Sequence, residues 1–311
     1  MIIYDRFGRP IKNLRVILTS KCNYNCIFCH SEGYYHCGKN AGNELGVEDV
    51  RKIARVARDV GVRQVKITGG EPLIVEEIYD IVRVFREMEY KDISLVTNGS
   101  LLSERAYLLK EVGLSRINVS LPSLNEERYD YITGTRNMLR CVIDGIKAAI
   151  DAKIFPVKIN VVLLKDINSD EWKEFIKFAE EKGVYVQFIE YHTNKVESEG
   201  FKKFYFPITD IEKYLEENAI KREIREMHAR KRYTLESGVE VELVRPMFNP
   251  TFCANCTRIR ATPTGWKPCL MREDIVPYTN DLKENNLDGL KRKLLLAIKK
   301  REPYFKKKLE L

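Results

Sequence analysis

Between residues 14 and 191 six short, β-branched apolar runs alternate with five longer stretches of helical period. The runs are 14–19, 65–68, 93–97, 117–121, 157–164 and 184–191. In the first interval Val47, Val50, Ile53, Ala54, Ala57 and Val60 fall on one helical face. Later intervals carry helical patterns at 78–88, 104–112, 138–150 and 171–181. Alternation of this kind predicts a parallel sheet joined by right-handed crossovers. No G-x-G-x-x-G follows the first strand, which weighs against a dinucleotide-binding sheet. The chemically distinctive residues instead follow several different strands, as in a β/α barrel whose site forms at the C-terminal strand ends. Six units are too few to close such a barrel. The expected fold is therefore α/β: an incomplete (β/α)6 TIM-type barrel over residues 1–194. A C-terminal α+β region, 195–311, should close its open side. That region reads as a helix at 210–217, a hairpin at 232–235 and 239–244 around Ser237-Gly238, and a last helix at 288–300.

The first strand runs directly into Cys22-x3-Cys26-x2-Cys29. A loop this tight can turn three sulfurs toward one point. Three thiolates can hold three irons of a [4Fe–4S] cubane and leave the fourth iron open, whereas electron carriers close the cluster with four. Zinc is the alternative, with His30 or Cys37 as a fourth ligand. A second trio, Cys253-x2-Cys256-x12-Cys269, allows the same pair of readings, with His228 as the distant zinc ligand. Beside it Arg258 and Arg260 stand at alternate positions of an extended segment and so point the same way. Two arginines suit bidentate grip on phosphate better than they suit zinc. Arg15 and Lys158 each interrupt an otherwise apolar strand, where an unpaired charge is costly.

Six of the 8 cysteines lie in these trios and only Cys37 and Cys141 are single, so the pattern is not a disulfide framework and implies a reducing compartment. Cys141 falls in a helical pattern and reads as a small core residue, Cys37 as a loop thiol. A glycine- and asparagine-rich stretch ending at Asn43 is a candidate mobile flap. The net charge of +8 favours an acidic partner, although its densest run is the basic C-terminal end, which reads as a solvated terminus. No run is long enough to span a membrane and no signal peptide opens the chain, so a cytoplasmic protein is expected.

Cys-x3-Cys-x2-Cys after a first strand, with Phe28 just before the last cysteine, resembles the radical S-adenosylmethionine (SAM) superfamily. Gly69-Gly70-Glu71-Pro72 after the second strand strengthens the likeness. A Gly-Gly pair alone is usually only a turn, whose glycines allow close approach and positive φ. The resemblance implies that the open iron chelates SAM and that one electron cleaves it to a 5′-deoxyadenosyl radical. It also implies that Gly69, Gly70 and Glu71 hold the SAM amino group, that Phe28 supports the adenine, and that Ser120 lies on the SAM side.

With the second trio, the chain is similar to the MoaA-type GTP 3′,8-cyclases of molybdenum cofactor biosynthesis. The likeness runs from Gly8-Arg9-Pro10 to Cys269 through Asn13-Leu14-Arg15, Thr97-Asn98-Gly99, Ile117 to Leu121, Lys158 to Val162 and Phe188-Ile189-Glu190. It implies two [4Fe–4S] clusters and GTP bound by Arg15, Lys66, Thr97, Lys158, Arg258 and Arg260. The second open iron would meet the guanine, and the radical would take hydrogen from ribose C3′ so that C3′ attacks C8. The implied partners are an external electron donor and a downstream cyclic pyranopterin monophosphate synthase, with a homodimer possible and no membrane or nucleic acid. The chain departs from the family pattern in several places. It ends Lys308-Leu309-Glu310-Leu311 instead of Gly-Gly. Gln187 stands where an Arg is common, Lys66 replaces an Arg, His192 replaces a Met, and Pro122 stands where an acid is frequent. Two other readings stay open. One is a two-cluster radical SAM enzyme acting on a peptide or tetrapyrrole; the other is a zinc-binding nucleic-acid module.

Overall fold

The computed structural model describes residues 2–30, 32, 44–193 and 199–304. Cys37, the flap ending at Asn43 and the tail from residue 305 lie outside the described residues. The first half runs β1 (Asn13–Ile17), α1 (Val47–Asp59), β2 (Gln64–Thr68), α2 (Ile78–Glu87), β3 (Asp92–Thr97), α3 (Leu102–Glu111), β4 (Arg116–Ser120), α4 (Glu126–Thr133), α5 (Leu139–Asp151), β5 (Val157–Leu163), α6 (Trp172–Lys182) and β6 (Tyr185–Glu190). The six strands lie side by side in chain order, all parallel.

Successive strand residues face opposite ways, so each strand has a wet and a dry face. Leu14, Val16, Val65, Ile67, Ile93, Leu95, Ile117, Val119, Ile159 and Val161 form the dry face and are buried in the main core with the buried sides of α1, α2, α3 and α5. In α1 that side is Val50, Ile53, Ala54 and Ala57. Each such aliphatic side chain contributes about 1.5–3 kcal/mol by leaving water. The opposite face is polar. Arg15, Lys66, Ser94 and Arg116 stand level across β1 to β4, and Asn118 stands level with Lys158 on β5.

The rest of the chain runs α7 (Glu199–Phe204), α8 (Thr209–Asn218), β7 (Ala219–Ile224), β8 (Lys231–Leu235), β9 (Glu240–Val244), α9 (Pro250–Ala254), β10 (Arg258–Thr262), β11 (Gly265–Lys267), β12 (Val276–Pro277), α10 (Thr279–Lys283) and α11 (Leu287–Lys299). Its strands prolong both edges of one open sheet, ordered β12-β11-β10-β1-β2-β3-β4-β5-β6-β9-β8-β7. β9 pairs parallel with β6 and β10 parallel with β1. The connection between β9 and β10 therefore passes from one edge of the sheet to the other, across the gap of the incomplete barrel. It carries Cys253 and Cys256.

Absent from the sequence reading are α4, α7, β7, α9, β11, β12 and α10, and also the pairing of β10 to β1. β7 reads Ala-Ile-Lys-Arg-Glu-Ile and has no period-two pattern, because most of it is exposed at the sheet's edge. Cys141 is exposed on α5, outside the buried stripe of Leu139, Val142 and Ile146, which corrects its reading as a core residue. Among the described residues no helix is long and apolar enough to cross a membrane.

Candidate active site

The Cys22–Cys29 loop is held from two sides. On one side Gly70 N–H donates to Thr19 O at 2.7 Å and Glu71 N–H to Lys21 O at 2.9 Å. A Cβ on Gly70 would sit 2.0 Å from Lys21 O, and one on Gly69 would sit 2.8 Å from Thr19 O. Neither glycine takes a positive φ. The pair is glycine because two backbones cross there, which corrects the expectation of left-handed turn geometry. On the other side the end of α4 supplies carbonyls: Asn25 N–H donates to Thr133 O and Ile27 N–H to Ile132 O, each at 2.9 Å. Gly134 ends that helix at φ 67°, with Asn25 O only 3.0 Å from where its Cβ would be. The start signals of α4 were in the sequence: Asn125 as the cap, then Glu126 and Glu127 in the first turn.

Burial pushes the Cys26 thiol up to about 12, with Cys29 and Cys22 adding to it, and burial also raises Cys22. The thiols are close enough to oppose one another's ionisation, and a cationic metal centre reverses that repulsion. Among the described residues no three His, Cys, Asp or Glu side chains converge closely enough for one metal ion. Three soft thiolates in one loop are a donor set that suits an iron–sulfur cluster. Phe28 is half-buried in the loop and Ser120 ends β4. The imidazoles of His30 and His192 lie 4.7 Å apart, with His30 Nδ1 buried and without a hydrogen bond. Burial, then His30, pushes His192 down to about 3, so it is neutral at neutral pH.

Glu71 is buried behind the glycines. Its carboxylate accepts from Leu73 N–H at 2.9 Å, Thr97 Oγ1 at 2.7 Å and Asn98 N–H at 2.7 Å. Burial nonetheless pushes it up to about 7. Thr97 Oγ1 thus sits beside Glu71.

Those cations form the floor and wall of the open barrel. Arg15 stands level with Lys66 on one side and with Arg260 on the other, and Arg258 is level with Asn13. Glu32 bridges two of them: Arg15 donates to both its oxygens at 2.9 Å, Arg260 donates at 2.8 Å, and Thr68 Oγ1 at 3.1 Å. Burial opposes ionisation of Glu32, but Arg15 and Arg260 outweigh it and hold the carboxyl well below its usual range. Lys66 Nζ meets Asn118 Oδ1 at 2.8 Å, and Arg258 reaches Met227 Sδ at 3.2 Å. Neither has a carboxylate partner among the described residues. Burial, then the neighbouring cations, pulls both well below their usual values. Lys158 pairs with buried Glu242 at 2.6 Å. Glu32 and Glu242 were missed in the sequence. For Glu242 the signal was there: Glu240 and Glu242 alternate with Val241 and Leu243, so the acids must face the other side of the strand.

The second trio sits at the barrel's gap. Cys256 N–H donates to Cys253 O at 3.1 Å. β10 and β11 pair antiparallel with Arg260 opposite Lys267, and continuing that register puts Cys269 level with Arg258. The twelve-residue spacing is therefore a hairpin that returns the third thiol to the other two. Burial raises Cys269 with Cys256 next, while Arg301 and Arg258 outweigh burial to lower Cys256. His228, the zinc candidate, stacks on Phe252 with ring centroids 3.9 Å apart.

The two chain ends brace this trio from behind. Asp5 Oδ2 accepts from Arg9 Nε and Arg301 NH1, each at 2.7 Å, and Arg9 NH1 donates to Cys253 O at 2.9 Å. Asp5→Ala strips two buried guanidiniums of a shared carboxylate and is expected to cost about 3–5 kcal/mol. Denaturant unfolding checks this, and a loss below about 1 kcal/mol would contradict the brace.

The polar lining and the thiol loop define an enzyme of the cluster-bearing barrel class, and comparisons with known proteins agree. The Radical SAM superfamily model matches residues 16–179, and the Molybdenum Cofactor Synthesis C model matches residues 184–307. A "Probable GTP 3′,8-cyclase" of Methanothermobacter thermautotrophicus is 42% identical over 98% of this chain and 99% of its own. Another, from Thermococcus kodakarensis, is 40% identical over 98% of this chain and 100% of its own. Among solved structures, Streptococcus suis SuiB bound to S-adenosylmethionine superposes with a TM-score of 0.65 at 17% identity, covering 91% of this chain and 66% of SuiB; this likeness concerns the fold. The chain belongs to the radical SAM superfamily and, within it, to the family of these cyclase relatives. The superfamily implies SAM and a [4Fe–4S] cluster, which the thiols of Cys22, Cys26 and Cys29 could hold.

Proposed function

We propose that the chain is a GTP 3′,8-cyclase, converting GTP to (8S)-3′,8-cyclo-7,8-dihydroguanosine 5′-triphosphate at the first step of molybdenum cofactor biosynthesis. One observation carries the reading: an excess of buried positive charge on the inner face of the barrel. Lys158 and Arg260 are buried and Arg15, Lys66, Arg230 and Arg258 partly buried, and among the described residues these six cations pair with only two carboxylates, Glu32 and Glu242. Such a surplus is costly unless an anion enters. A nucleoside triphosphate fits, with roughly one negative charge per phosphate and one more at its end.

Cys22, Cys26 and Cys29 would hold the first cluster. Gly69, Gly70, Glu71, Phe28 and Ser120 would seat SAM, with Thr97 fixing Glu71. Cys253, Cys256 and Cys269 would hold a second [4Fe–4S] cluster facing the guanine. Bound, these groups supply one-electron chemistry and hydrogen abstraction from the ribose. The protein's part is to fix the sugar against that chemistry. Arg15, Lys66, Lys158, Arg258 and Arg260 anchor the substrate, and His192, beside His30, stays neutral at neutral pH. The reading brings an external electron donor and a downstream cyclic pyranopterin monophosphate synthase as partners.

Anaerobic incubation of the reduced, iron-loaded protein with SAM and GTP is expected to yield 5′-deoxyadenosine and the cyclised triphosphate. SAM cleavage indifferent to GTP, with no nucleotide product, would overturn the assignment. A pH experiment addresses Glu71. A folded carboxyl near 7 against an unfolded value of 4.5 binds the extra proton when folded. Its contribution to stability is therefore present at low pH and lost as pH rises from 4.5 through about 7. A SAM ammonium needs the ionised form, so SAM affinity should fall about tenfold per pH unit below 7. Titration by equilibrium dialysis checks this, and Glu71→Gln should flatten the profile.

A further inference from the structure

Glu242, fully buried on β9, is shared by three cations. Lys158 Nζ lies 2.6 Å from Oε2, Arg225 NH1 3.1 Å from Oε2, and Arg230 NH1 2.8 Å from Oε1. One carboxylate neutralises one of them, so the cluster keeps surplus positive charge, with Lys158 and Arg230 largely buried and Arg225 a third exposed at 33%. Arg230 is 11% exposed, and it also donates to Gln187 Oε1 at 3.3 Å. Gln187 stands opposite Glu242 in the sheet and contributes no charge of its own.

The orientation of Gln187 follows from a chain of hydrogen bonds across the barrel floor. Lys66 has only hydrogens to give, so Asn118 turns its oxygen to it. Asn118 Nδ2 then donates to Asn160 Oδ1 at 3.0 Å, and Gln187 Nε2 donates to that same oxygen at 3.2 Å. Gln187 is left presenting its carbonyl to Arg230. The turn that delivers Arg230 holds two successive non-glycine residues in the left-handed region, His228 at φ 67° and Ala229 at φ 47°. Backbone held this way marks a place where the side chain's position matters.

We propose that Arg230 contacts the terminal phosphate of the substrate alongside Lys158, and that Glu242 is the positioning residue that aims them. This rests on the nucleoside triphosphate reading above. Lys158 is the second residue of β5, near its N-terminal end, whereas the thiol loop follows the C-terminal end of β1. The Glu242 cluster therefore lies deep, away from the reacting sugar, where the far end of a triphosphate would arrive. Arg230 supplies at that point the guanidinium that position 187 lacks.

The test compares GTP with GDP on the anaerobic, iron-loaded enzyme, by equilibrium dialysis and by turnover. Wild type should prefer GTP. Arg230→Gln should weaken GTP binding about ten- to a hundred-fold and GDP binding less than about threefold, so the preference collapses. Arg230→Gln combined with Gln187→Arg should restore it, because a guanidinium from residue 187 reaches the same place. A structural role would lower both nucleotides together, without rescue. Should Arg230→Gln fold poorly, Arg230→Lys keeps a point charge and should retain part of the GTP preference; if it binds like wild type in both respects, or loses GTP and GDP equally, the proposal fails. Wild-type preference for GTP retained in Arg230→Gln overturns this inference alone. A wild-type enzyme that neither binds nor turns over GTP overturns the reading beneath it.

Discussion

Replacing Arg258 and Arg260 together with alanine is expected to lower kcat/KM for GTP by at least about a thousandfold, each lost partner of a buried charge pair costing about 2–5 kcal/mol. SAM cleavage should survive, because the backbone hydrogen bonds that fix the first thiol loop come from Gly70, Glu71 and the end of α4. The two arginines differ in what they now hold. Arg260 shares Glu32 with Arg15, whereas Arg258 meets only the Met227 sulfur among the described residues. Arg258 is therefore the poorer satisfied of the two, and Arg258→Ala alone should carry most of the loss. Product assay with parallel iron and sulfide analysis separates this from failed cluster assembly. GTP turnover retained in the double variant would remove the substrate assignment.

The second large effect is expected at Gly70. An added methyl would lie 2.0 Å from Lys21 O, inside any tolerable contact, and the clashing atom is backbone and cannot swing away. Gly70→Ala must push the Thr19–Lys21 segment outward, breaking the two hydrogen bonds that align the thiol loop with Glu71. A loss of about 3 kcal/mol in stability is expected, together with loss of iron from the first trio and of SAM cleavage. Gly183→Ala is the control. Its methyl meets nothing within 4 Å but its φ is 66°, so it should cost only about 1 kcal/mol and leave iron content alone. Gly70→Ala with normal iron content and activity would show that the crossing of backbones is not needed.

The barrel was legible because its strands bury one face under helices and keep β-branched residues there, so periodicity and type agree. The thiol trios and Gly69-Gly70-Glu71-Pro72 were legible as local motifs. What escaped were relations between distant segments. Nothing around Glu32 announces that it will lie between Arg15 and Arg260, because the contact is made across three strands. Arg301 reads as part of a solvated basic terminus, but it is buried and shares Asp5 with Arg9 behind Cys253. α4 escaped for a different reason: with eight residues and few buried ones it has little helical stripe, and its evidence lay in its caps. Arg258 and Arg260 were read correctly as neighbours on one face, but the strand they occupy pairs with β1, some 245 residues earlier by the Asn13–Arg258 register.

That last pairing has a consequence for how the molecule is made. While a ribosome is still building the first two hundred residues, the outer rim of β1 has nothing to bond to, and the rim of β6 is equally bare. Naked sheet rims invite pairing with other chains, and bridging such a distance along the polypeptide is slow. The seam closes only once β9 and β10 have emerged. A fragment stopping after β6 would expose two raw rims, so the nascent N-terminal half should be far stickier than the finished enzyme.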